Sequence, residues 1–294
     1  MTVSGSSIAF IGTGVMGASM VGHLLKAGAR VTVYNRTKAK ADKLVASGAI
    51  WADTPAKAAA GADVVFTMVG YPADVEAVYM GSDGIIKAAK SSALLVDHTT
   101  SDPALAVRIS AAAAARGLTA IDAPVSGGDT GARNATLSIM VGGDQAAFAS
   151  VKPFFDVVGK TALLQGGPGA GQFTKMSNQI SVAGALLGAT EALIYAEKAG
   201  LDPHHVLDSI SGGAAQSAQL VGMGPRMLAG DFEAGFYAKH FLKDLRIALN
   251  SAKSMGLHLP LLALAEHLFD AVSAKGFGDK GTQILYRMYK DGLL

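Results

Sequence analysis

A glycine-rich run near the N-terminus has the residue types that bind the pyrophosphate of a dinucleotide. It follows an apolar segment at residues 8–11 and reads Gly12-Thr13-Gly14-Val15-Met16-Gly17. In such a turn the glycines allow a tight bend and a close approach of the backbone to phosphate, and the following helix N-terminus adds partial positive charge. We therefore expect these six residues to bind a nicotinamide dinucleotide. A glycine-rich turn in a domain without nucleotide is the alternative interpretation.

The end of the second strand-like run, residues 30–34, indicates which dinucleotide is preferred. An acidic residue at this position would bind the adenosine ribose, but the chain has Asn35, Arg36 and Thr37 there, with Lys40 one turn later. A guanidinium matches the geometry of a 2′-phosphate, and the two neutral side chains are further donors. The sequence thus favours NADP, with NAD as the alternative cofactor. A solvated surface arginine is the competing interpretation of Arg36.

Loops at the carboxyl ends of parallel strands are where ligands bind in an open α/β sheet. The first such loop begins at Met68, Val69 and Gly70, the second contains Thr100, and the third contains Ser126-Gly127-Gly128. A serine followed by two glycines exposes a hydroxyl and unobstructed backbone N–H groups, which suit a carboxylate or a developing alkoxide. We expect the third loop to bind substrate. An ordinary glycine turn with a capping serine is the alternative.

Lys175 is the candidate proton-transfer group. With Asn178 and Gln179 it has the spacing i, i+3 and i+4, which places the three side chains on one face of an otherwise apolar helix. Desolvation would lower the lysine pKa toward neutrality, as exchange of a proton with a substrate hydroxyl requires. A lysine whose head reaches solvent at the helix start is the alternative. Lys243 and Asp244 open a further amphipathic segment, where adjacent opposite charges are usually solvated.

The composition excludes several other classes of function. The net charge is +2, from 25 basic and 23 acidic residues, so nothing indicates a nucleic-acid or membrane surface. There is no cysteine, the histidines lack metal-ligand spacing, and Ser126 has no His/Asp relay, so we expect neither a metal nor acyl transfer. The uncharged stretch from Met176 to Thr190 is shorter than the ~20 residues of a membrane span and predicts a buried helix. A strand close to the N-terminus leaves no room for a targeting peptide, which predicts a cytoplasmic protein.

The pattern of apolar residues changes once along the chain. Up to about residue 165, apolar runs alternate with alanine-rich helical stretches, which is typical of a doubly wound α/β domain. Beyond a Gly-Pro-Gly stretch the pattern becomes helical. The sequence predicts a Rossmann-type domain at residues 1–165 and an all-α domain at 166–294. The predicted strands are 8–11, 30–34, 64–69, 93–97, 119–122, 137–141 and 162–164, and the predicted helices of the second domain are 172–199, 203–210, 241–255 and 259–274.

Together these motifs resemble the β-hydroxyacid dehydrogenases, the 3-hydroxyisobutyrate dehydrogenase-like family, whose nucleotide domain is similar to that of 6-phosphogluconate dehydrogenase. The resemblance implies Lys175 as general acid/base, a carboxylate site at Ser126, Gly127 and Gly128, and Thr100 near the nicotinamide. It further implies Lys243 on the cofactor side, Asp244 as a supporting acid, and a homodimer or homotetramer paired partly through the helix that begins near Gly171. The candidate catalytic residues are thus Lys175, Ser126, Asn178 and Gln179.

Two departures from the family leave the substrate open. Many members have asparagine four residues after the lysine, whereas this chain has Asn178 at three and Gln179 at four. The segment 129–134 also replaces a less polar loop. The resemblance implies hydride transfer to or from a small 3-hydroxyacid, with a semialdehyde or glyoxylate reductase of the same family as the alternative. A non-catalytic NADP-binding regulatory protein and an imine reductase are two competing interpretations, and relatives of both kinds usually lack the lysine.

Overall fold

A computed structural model describes residues 1–294 and divides the chain into two compact units, Met1–Lys175 and Met176–Leu294. The first unit is built on one nine-stranded sheet. Its strands are β1 (Ser7–Ile11), β2 (Arg30–Tyr34), β3 (Ile50–Trp51), β4 (Val64–Thr67), β5 (Leu94–Asp97), β6 (Thr119–Asp122), β7 (Val125–Ser126), β8 (Leu137–Gly142) and β9 (Gly159–Gly166).

Strands β1 to β6 are parallel and lie in the order β3-β2-β1-β4-β5-β6. The chain reverses its direction of winding between β1 and β4, which is the switch point where ligands bind in such sheets. β8 follows antiparallel to both β6 and β7, and β9 runs parallel to β8. Only residues 127–136 separate β7 from β8, and a parallel crossover needs about a dozen residues or more. The sheet is therefore mixed beyond β6.

Helices cover both faces of the sheet. Along β1, Ile8 and Phe10 join one buried cluster while Ala9 and Ile11 join the other, as expected for a strand buried on both sides. The helices of this unit are α1 (Val15–Lys26), α2 (Asp42–Ala46), α3 (Pro55–Ala59), α4 (Pro72–Met80), α5 (Ile85–Ala88), α6 (Pro103–Ala114), α7 (Gly128–Arg133) and α8 (Gln145–Val158). The doubly wound α/β prediction is confirmed.

The second unit contains helices only, apart from one isolated bridge between Tyr237 and Gly281. Its buried cluster includes Leu186, Leu193 and Phe241. The helices are α9 (Ala170–Lys198), which begins in the first unit, α10 (Pro203–Ser211), α11 (Ala218–Leu228), α12 (Ala238–Ser254), α13 (Pro260–Ala274) and α14 (Ile284–Lys290). The sequence prediction missed α11 and α14. Proline and glycines interrupt the helical pattern of α11, whereas α14 has only 7 residues.

The division between the units lies after Lys175, whereas the sequence prediction placed the domain boundary after residue 165. The first turns of α9 pack on the sheet of the first unit: a methyl group at Gly171 would collide with the Met140 carbonyl and would lie 2.8 Å from the Asp122 carboxylate. The residue that we expect to transfer protons is thus the last one of the first unit.

Helix α9 is 29 residues long, and by length and composition alone it could cross a membrane, contrary to the sequence expectation that the segment is too short. In the structure 44% of its most apolar stretch is buried, and Ala183, Leu186 and Leu193 belong to the buried cluster of the second unit. These buried residues account for part of its apolar composition.

Candidate active site

The glycine-rich loop has the geometry that a pyrophosphate needs. Gly12 has a φ of +101°, and a methyl group on it would strike the Met68 carbonyl, while one on Gly17 would strike the Gly12 carbonyl. Around Gly14, by contrast, a methyl group would meet nothing within 4 Å. Helix α1 begins at the next residue, and no side chain caps its first N–H groups. The first and third glycines are thus required by the fold itself, and the second leaves open space beside a helix N-terminus that attracts anions.

The remaining residues of this motif line the same turn. The Thr13 side chain is buried, and its hydroxyl has no partner within the protein. Val15 is exposed and Met16 is half-buried, both in the first turn of α1. The Thr13 N–H donates to Asn35 Oδ1 at 3.0 Å, and Asn35 Nδ2 donates to the Thr37 carbonyl at 2.8 Å. Asn35 therefore fastens the glycine-rich loop to the end of β2.

Arg36 extends from the end of β2 with 85% of its side chain exposed. Its Nη1 atom lies 3.1 Å from Asp74 Oδ1, which belongs to α4. Asp74 Oδ2 also accepts from the Tyr71 N–H at 3.2 Å, so the carboxylate is held at the start of that helix. The guanidinium is thus neither buried nor isolated: it is exposed at the end of β2 and paired with α4.

Hydrogen bonds tie the loops after β4 and β5 together. The Val69 N–H donates to Thr99 Oγ1 at 3.0 Å, and Asp97 Oδ1 accepts from Thr67 Oγ1 at 2.6 Å and from the Thr99 N–H at 3.0 Å. The Tyr79 hydroxyl lies 3.1 Å from Thr67 Oγ1, and burial, reinforced by the Asp97 charge, raises the Tyr79 pKa well above its ordinary value. Met68, Val69, Gly70 and Thr100 are all half-buried at this edge.

Ser126 ends β7 opposite Ser138 of β8 and is half-buried. Gly127 and Gly128 follow with φ values of +128° and +62°, a backbone conformation that residues with a Cβ rarely adopt. Just beyond them, Asp129 pairs with Arg133 at 2.5 Å across the short helix α7. The predicted carboxylate loop is therefore a glycine turn of fixed shape, and the polar segment after it is folded on itself.

Lys175 is only 6% exposed, which excludes a lysine whose head reaches solvent at the start of its helix. Gln172, one turn earlier, is completely buried. Its Nε2 donates to the Thr99 carbonyl at 2.8 Å, and its Oε1 accepts from the Ser101 N–H at 2.9 Å. The helix that carries Lys175 is thus bonded directly to the loop after β5.

The carboxylate of Asp122 holds the start of α9. Its Oδ1 accepts from the Gly169 N–H at 2.7 Å and its Oδ2 from the Gln172 N–H at 2.8 Å. Burial raises the Asp122 pKa to about 6, although both backbone bonds oppose that rise. Sequence reasoning noted Asp122 only as the start of a loop and gave no role to Gln172. The residues next to Asp122 and Gln172 in sequence gave no signal of these partners, because Asp122 bonds to residues 47 and 50 positions away.

In the second unit, the polar residues of α9 meet α12. Asn178 Nδ2 donates to Gln179 Oε1 at 2.7 Å, and Gln179 Nε2 donates to Asp244 Oδ2 at 2.6 Å. Lys243 Nζ lies 2.9 Å from Asp244 Oδ1. Gln179 and Asp244 are both 2% exposed, so this network is buried rather than solvated, as adjacent opposite charges usually are, and Asn178 is its half-buried outer member.

The buried histidine next to Thr99 is structural. His98 stacks on Phe66 with ring centroids 5.4 Å apart, and its Nδ1 lies 2.7 Å from the Ala123 carbonyl. Burial lowers the His98 pKa to about 4, so the ring is neutral at pH 7. No three His, Asp or Glu side chains are grouped to hold a metal ion.

Two family models cover almost the entire chain. The NAD binding domain of 6-phosphogluconate dehydrogenase matches residues 7–167, and the NAD-binding domain of NADP-dependent 3-hydroxyisobutyrate dehydrogenase matches residues 169–289. Among curated relatives, the probable 3-hydroxyisobutyrate dehydrogenase-like 1 of Arabidopsis thaliana is 50% identical over 97% of this chain and 85% of its own length. The 2-hydroxy-3-oxopropionate reductase of Escherichia coli is 40% identical over 92% of each chain.

A solved structure has the same architecture. The Mycobacterium tuberculosis 3-hydroxyisobutyrate dehydrogenase, solved with L-serine, matches with a TM-score of 0.89 at 30% identity, over 97% of this chain and 99% of that one. These matches and the geometry of the glycine-rich loop agree on a nicotinamide cofactor. The chain belongs to the 3-hydroxyisobutyrate dehydrogenase-like family of NAD(P)-dependent oxidoreductases.

Proposed function

We propose that this protein is an NADP-dependent β-hydroxyacid dehydrogenase that interconverts a small 3-hydroxyacid and its semialdehyde, with Lys175 as general acid/base. The observation that carries the proposal is the buried Lys175, on a helix that is hydrogen-bonded to a loop at the carboxyl edge of the nucleotide-binding sheet. The nicotinamide supplies the hydride acceptor or donor when it is bound. The protein must then supply a proton acceptor or donor for the substrate oxygen.

Lys175 suits that role because its amine is buried on the helix that is bonded to the loop after β5, and an amine can both accept and donate the single proton that the reaction moves. In the oxidative direction its amine accepts the hydroxyl proton as the hydride leaves carbon. In the reductive direction its ammonium donates a proton to the forming alkoxide. A regulatory protein that only bound NADP would not need a proton donor or acceptor at this position.

The preference for NADP rests on Arg36 at the end of β2. Its guanidinium is mostly exposed and pairs with the Asp74 carboxylate, while the neighbouring Asn35 bonds to the glycine-rich loop. A 2′-phosphate would accept charge-assisted hydrogen bonds from it. Asn35 does not serve as a phosphate donor in this proposal, since its amide is used to fasten the loop.

We propose the turn at Ser126, Gly127 and Gly128 as the site of the substrate carboxylate. The backbone at both glycines has a positive φ, and a methyl group on Gly128 would meet nothing within 4 Å, so the turn leaves open space beside its backbone for an anion. Of the two amides after Lys175, we assign substrate contact to Asn178. Both polar ends of Gln179 are already bonded, to Asn178 and to Asp244.

The names of the relatives define which substrates to test first. They include 3-hydroxyisobutyrate dehydrogenases and a 2-hydroxy-3-oxopropionate reductase, and both names denote small hydroxyacids or their semialdehydes. The test is the initial rate at the nicotinamide absorbance band with 3-hydroxyisobutyrate, related 3-hydroxyacids, their semialdehydes and glyoxylate, using NADP(H) and NAD(H). Turnover of one acid–semialdehyde pair with NADP(H) supports the proposal. NADPH binding without any turnover would favour a regulatory or imine-reducing protein.

We further propose that the protein is a cytoplasmic homodimer or homotetramer. Tyr195, on α9, is 75% exposed, and α13 presents the exposed leucines Leu261 and Leu264. Apolar side chains of this size are typical of subunit interfaces when they form a contiguous patch. Light scattering coupled to gel filtration measures the oligomeric state, and a monomer at micromolar concentration would contradict this part of the proposal.

A further inference from the structure

Gln172 is a buried amide whose two polar ends both serve one loop. Its Nε2 donates to the carbonyl of Thr99 and its Oε1 accepts from the N–H of Ser101, at 2.8 and 2.9 Å. These two backbone groups flank Thr100 on either side. A side chain that satisfies both of them fixes the path of the loop at Thr100 and leaves no polar atom of its own unpaired.

This loop lies on the cofactor side of the first unit. It follows β5, and the neighbouring loop after β4 is bonded to it through Val69 and Thr99. The loop after β4 in turn lies against the glycine-rich turn, since a methyl group on Gly12 would strike the Met68 carbonyl. A continuous set of contacts therefore connects the pyrophosphate-binding turn with Gln172.

The backbone of Gln172 is fixed as firmly as its side chain. Its N–H donates to Asp122 Oδ2 at 2.8 Å, and Asp122 Oδ1 accepts from the Gly169 N–H at 2.7 Å. A carboxylate that accepts from the first N–H groups of a helix fixes where that helix begins. A methyl group on Gly142 would lie 2.5 Å from Asp122 Oδ1, so only glycine fits beside the carboxylate at this position of β8.

Lys175 follows Gln172 by three residues, so the two side chains lie on the same side of α9. We propose that Gln172 is a positioning residue that, together with Asp122, sets the distance between the cofactor-side loop and the amine of Lys175. Hydride and proton transfer then share one rigid geometry within the first unit. The inference rests on the proposed role of Lys175. Displacements of about 1 Å in such a geometry cost on the order of 10²-fold in rate.

The experiment compares Gln172→Leu and Gln172→Glu with a matched control, Gln165→Leu. Gln165 is exposed and donates only to the Leu163 carbonyl, so the control makes the same chemical change away from the loop. Each variant is measured for kcat, KM, the NADPH dissociation constant by fluorescence, and the primary deuterium isotope effect with NADPH labelled at nicotinamide C4.

We expect Gln172→Leu to lower kcat by about 10²-fold while KM and the NADPH dissociation constant change by less than about 3-fold. The isotope effect should rise, because hydride transfer becomes rate-limiting. Gln172→Glu retains the acceptor for Ser101, and in this buried position its protonated carboxyl can still donate to the Thr99 carbonyl, so we expect a smaller loss of about 10-fold. If Gln172→Leu does not fold, the same measurements on the nearly isosteric Gln172→Glu variant test the positioning role.

Unchanged kcat and isotope effect in the Gln172 variants would overturn the inference, as would a loss of NADPH affinity equal to the loss in kcat. Lys175→Ala is measured in the same series to separate the two proposals. If it abolishes turnover while the Gln172 variants remain active, only the positioning role fails. If the unaltered protein turns over no substrate of the panel, the proposed function fails and the inference with it.

Discussion

Replacement of Asp122 by asparagine should change how the stability of the first unit depends on pH. The carboxylate is 4% exposed and accepts two backbone hydrogen bonds at the start of α9. Asparagine is close in shape but can accept with only one of its two terminal atoms. We therefore expect Asp122→Asn to lose about 1–3 kcal/mol at every pH from the unsatisfied N–H group. The substitution also removes the titrating carboxyl group.

The sign of the pH dependence that Asp122 gives to the free energy of unfolding follows from its pKa. In the folded protein, burial raises the Asp122 pKa from 3.8 to about 6, so the folded state binds the proton more tightly than the unfolded state. The contribution of this group to the free energy of unfolding is therefore largest below pH 3.8, declines as the pH rises to about 6, and is constant above that. The full decline is roughly 3 kcal/mol, and the part between pH 5 and pH 7 is roughly 1 kcal/mol.

Urea unfolding at pH 5 and pH 7, followed by tryptophan fluorescence, measures this effect. Trp51 is the only tryptophan of the chain and lies in the first unit, so its signal reports on the unit that contains Asp122. The stability advantage of the unaltered protein over Asp122→Asn should be larger at pH 5 by roughly 1 kcal/mol. Comparing the two proteins cancels the titration of all other groups.

The matched control is Asp144→Asn. Asp144 also accepts from two N–H groups at a helix start, those of Ala146 and Ala147, but it is exposed. Its variant should lose stability by a similar amount at both pH values. An advantage over Asp122→Asn that is equal at pH 5 and pH 7, or larger at pH 7, would refute the argument that burial dominates the energetics of Asp122.

Three further substitutions test the site. Lys175→Ala should lower kcat by about 10²–10⁴-fold without weakening NADPH binding, measured by stopped-flow absorbance and fluorescence titration; an equal loss of both would contradict a role in proton transfer. Arg36→Gln should reduce the NADP/NAD ratio of kcat/KM by about 10-fold or more, whereas Lys38→Gln, as a control, should leave it nearly unchanged. Gly14→Ala should leave the melting temperature nearly unaltered but weaken NADPH binding, while Gly17→Ala should destabilise the protein, since only Gly17 is packed against the Gly12 carbonyl. Equal melting temperatures of the two glycine variants would contradict this steric interpretation.

The fold class could be predicted from local sequence patterns, because the conformations of turns, helices and strands depend mainly on residues that are neighbours along the chain. The spacing of Gly12, Gly14 and Gly17 predicts a turn, because the close contacts that require glycine involve only these six residues and their immediate neighbours on β1 and after β4. The i, i+3 and i+4 spacing after Lys175 likewise places its partners on a helix face. The short strands β3 and β7, with two residues each, have no periodicity to detect and were missed.

Contacts between residues distant in sequence could not be predicted in the same way. Arg36 pairs with Asp74, and Gln172 bonds to Thr99 and Ser101, which are 73 and 71 positions away. Nothing near Gln172 distinguishes a buried amide with two partners from an exposed one. The burial of Asp244 could not be predicted for the same reason, since its buried partner Gln179 lies 65 residues earlier.

The distribution of these residues over the two units has a physical consequence for specificity. Lys175, the glycine-rich turn and the loops that Gln172 fastens all belong to the first unit, whereas Asn178, Gln179, Lys243 and Asp244 belong to the second. Proton and hydride transfer need a fixed geometry, which hydrogen bonds within one unit provide. The half-buried Asn178 donates to Gln179 and is not part of the hydrogen bonds that fasten Gln172 and Asp122, so replacing it should change substrate preference while those bonds are preserved. In Asn178→Ala, altered KM values across the substrate panel with an unchanged NADPH dissociation constant would establish this separation, and a loss of cofactor binding would argue against it.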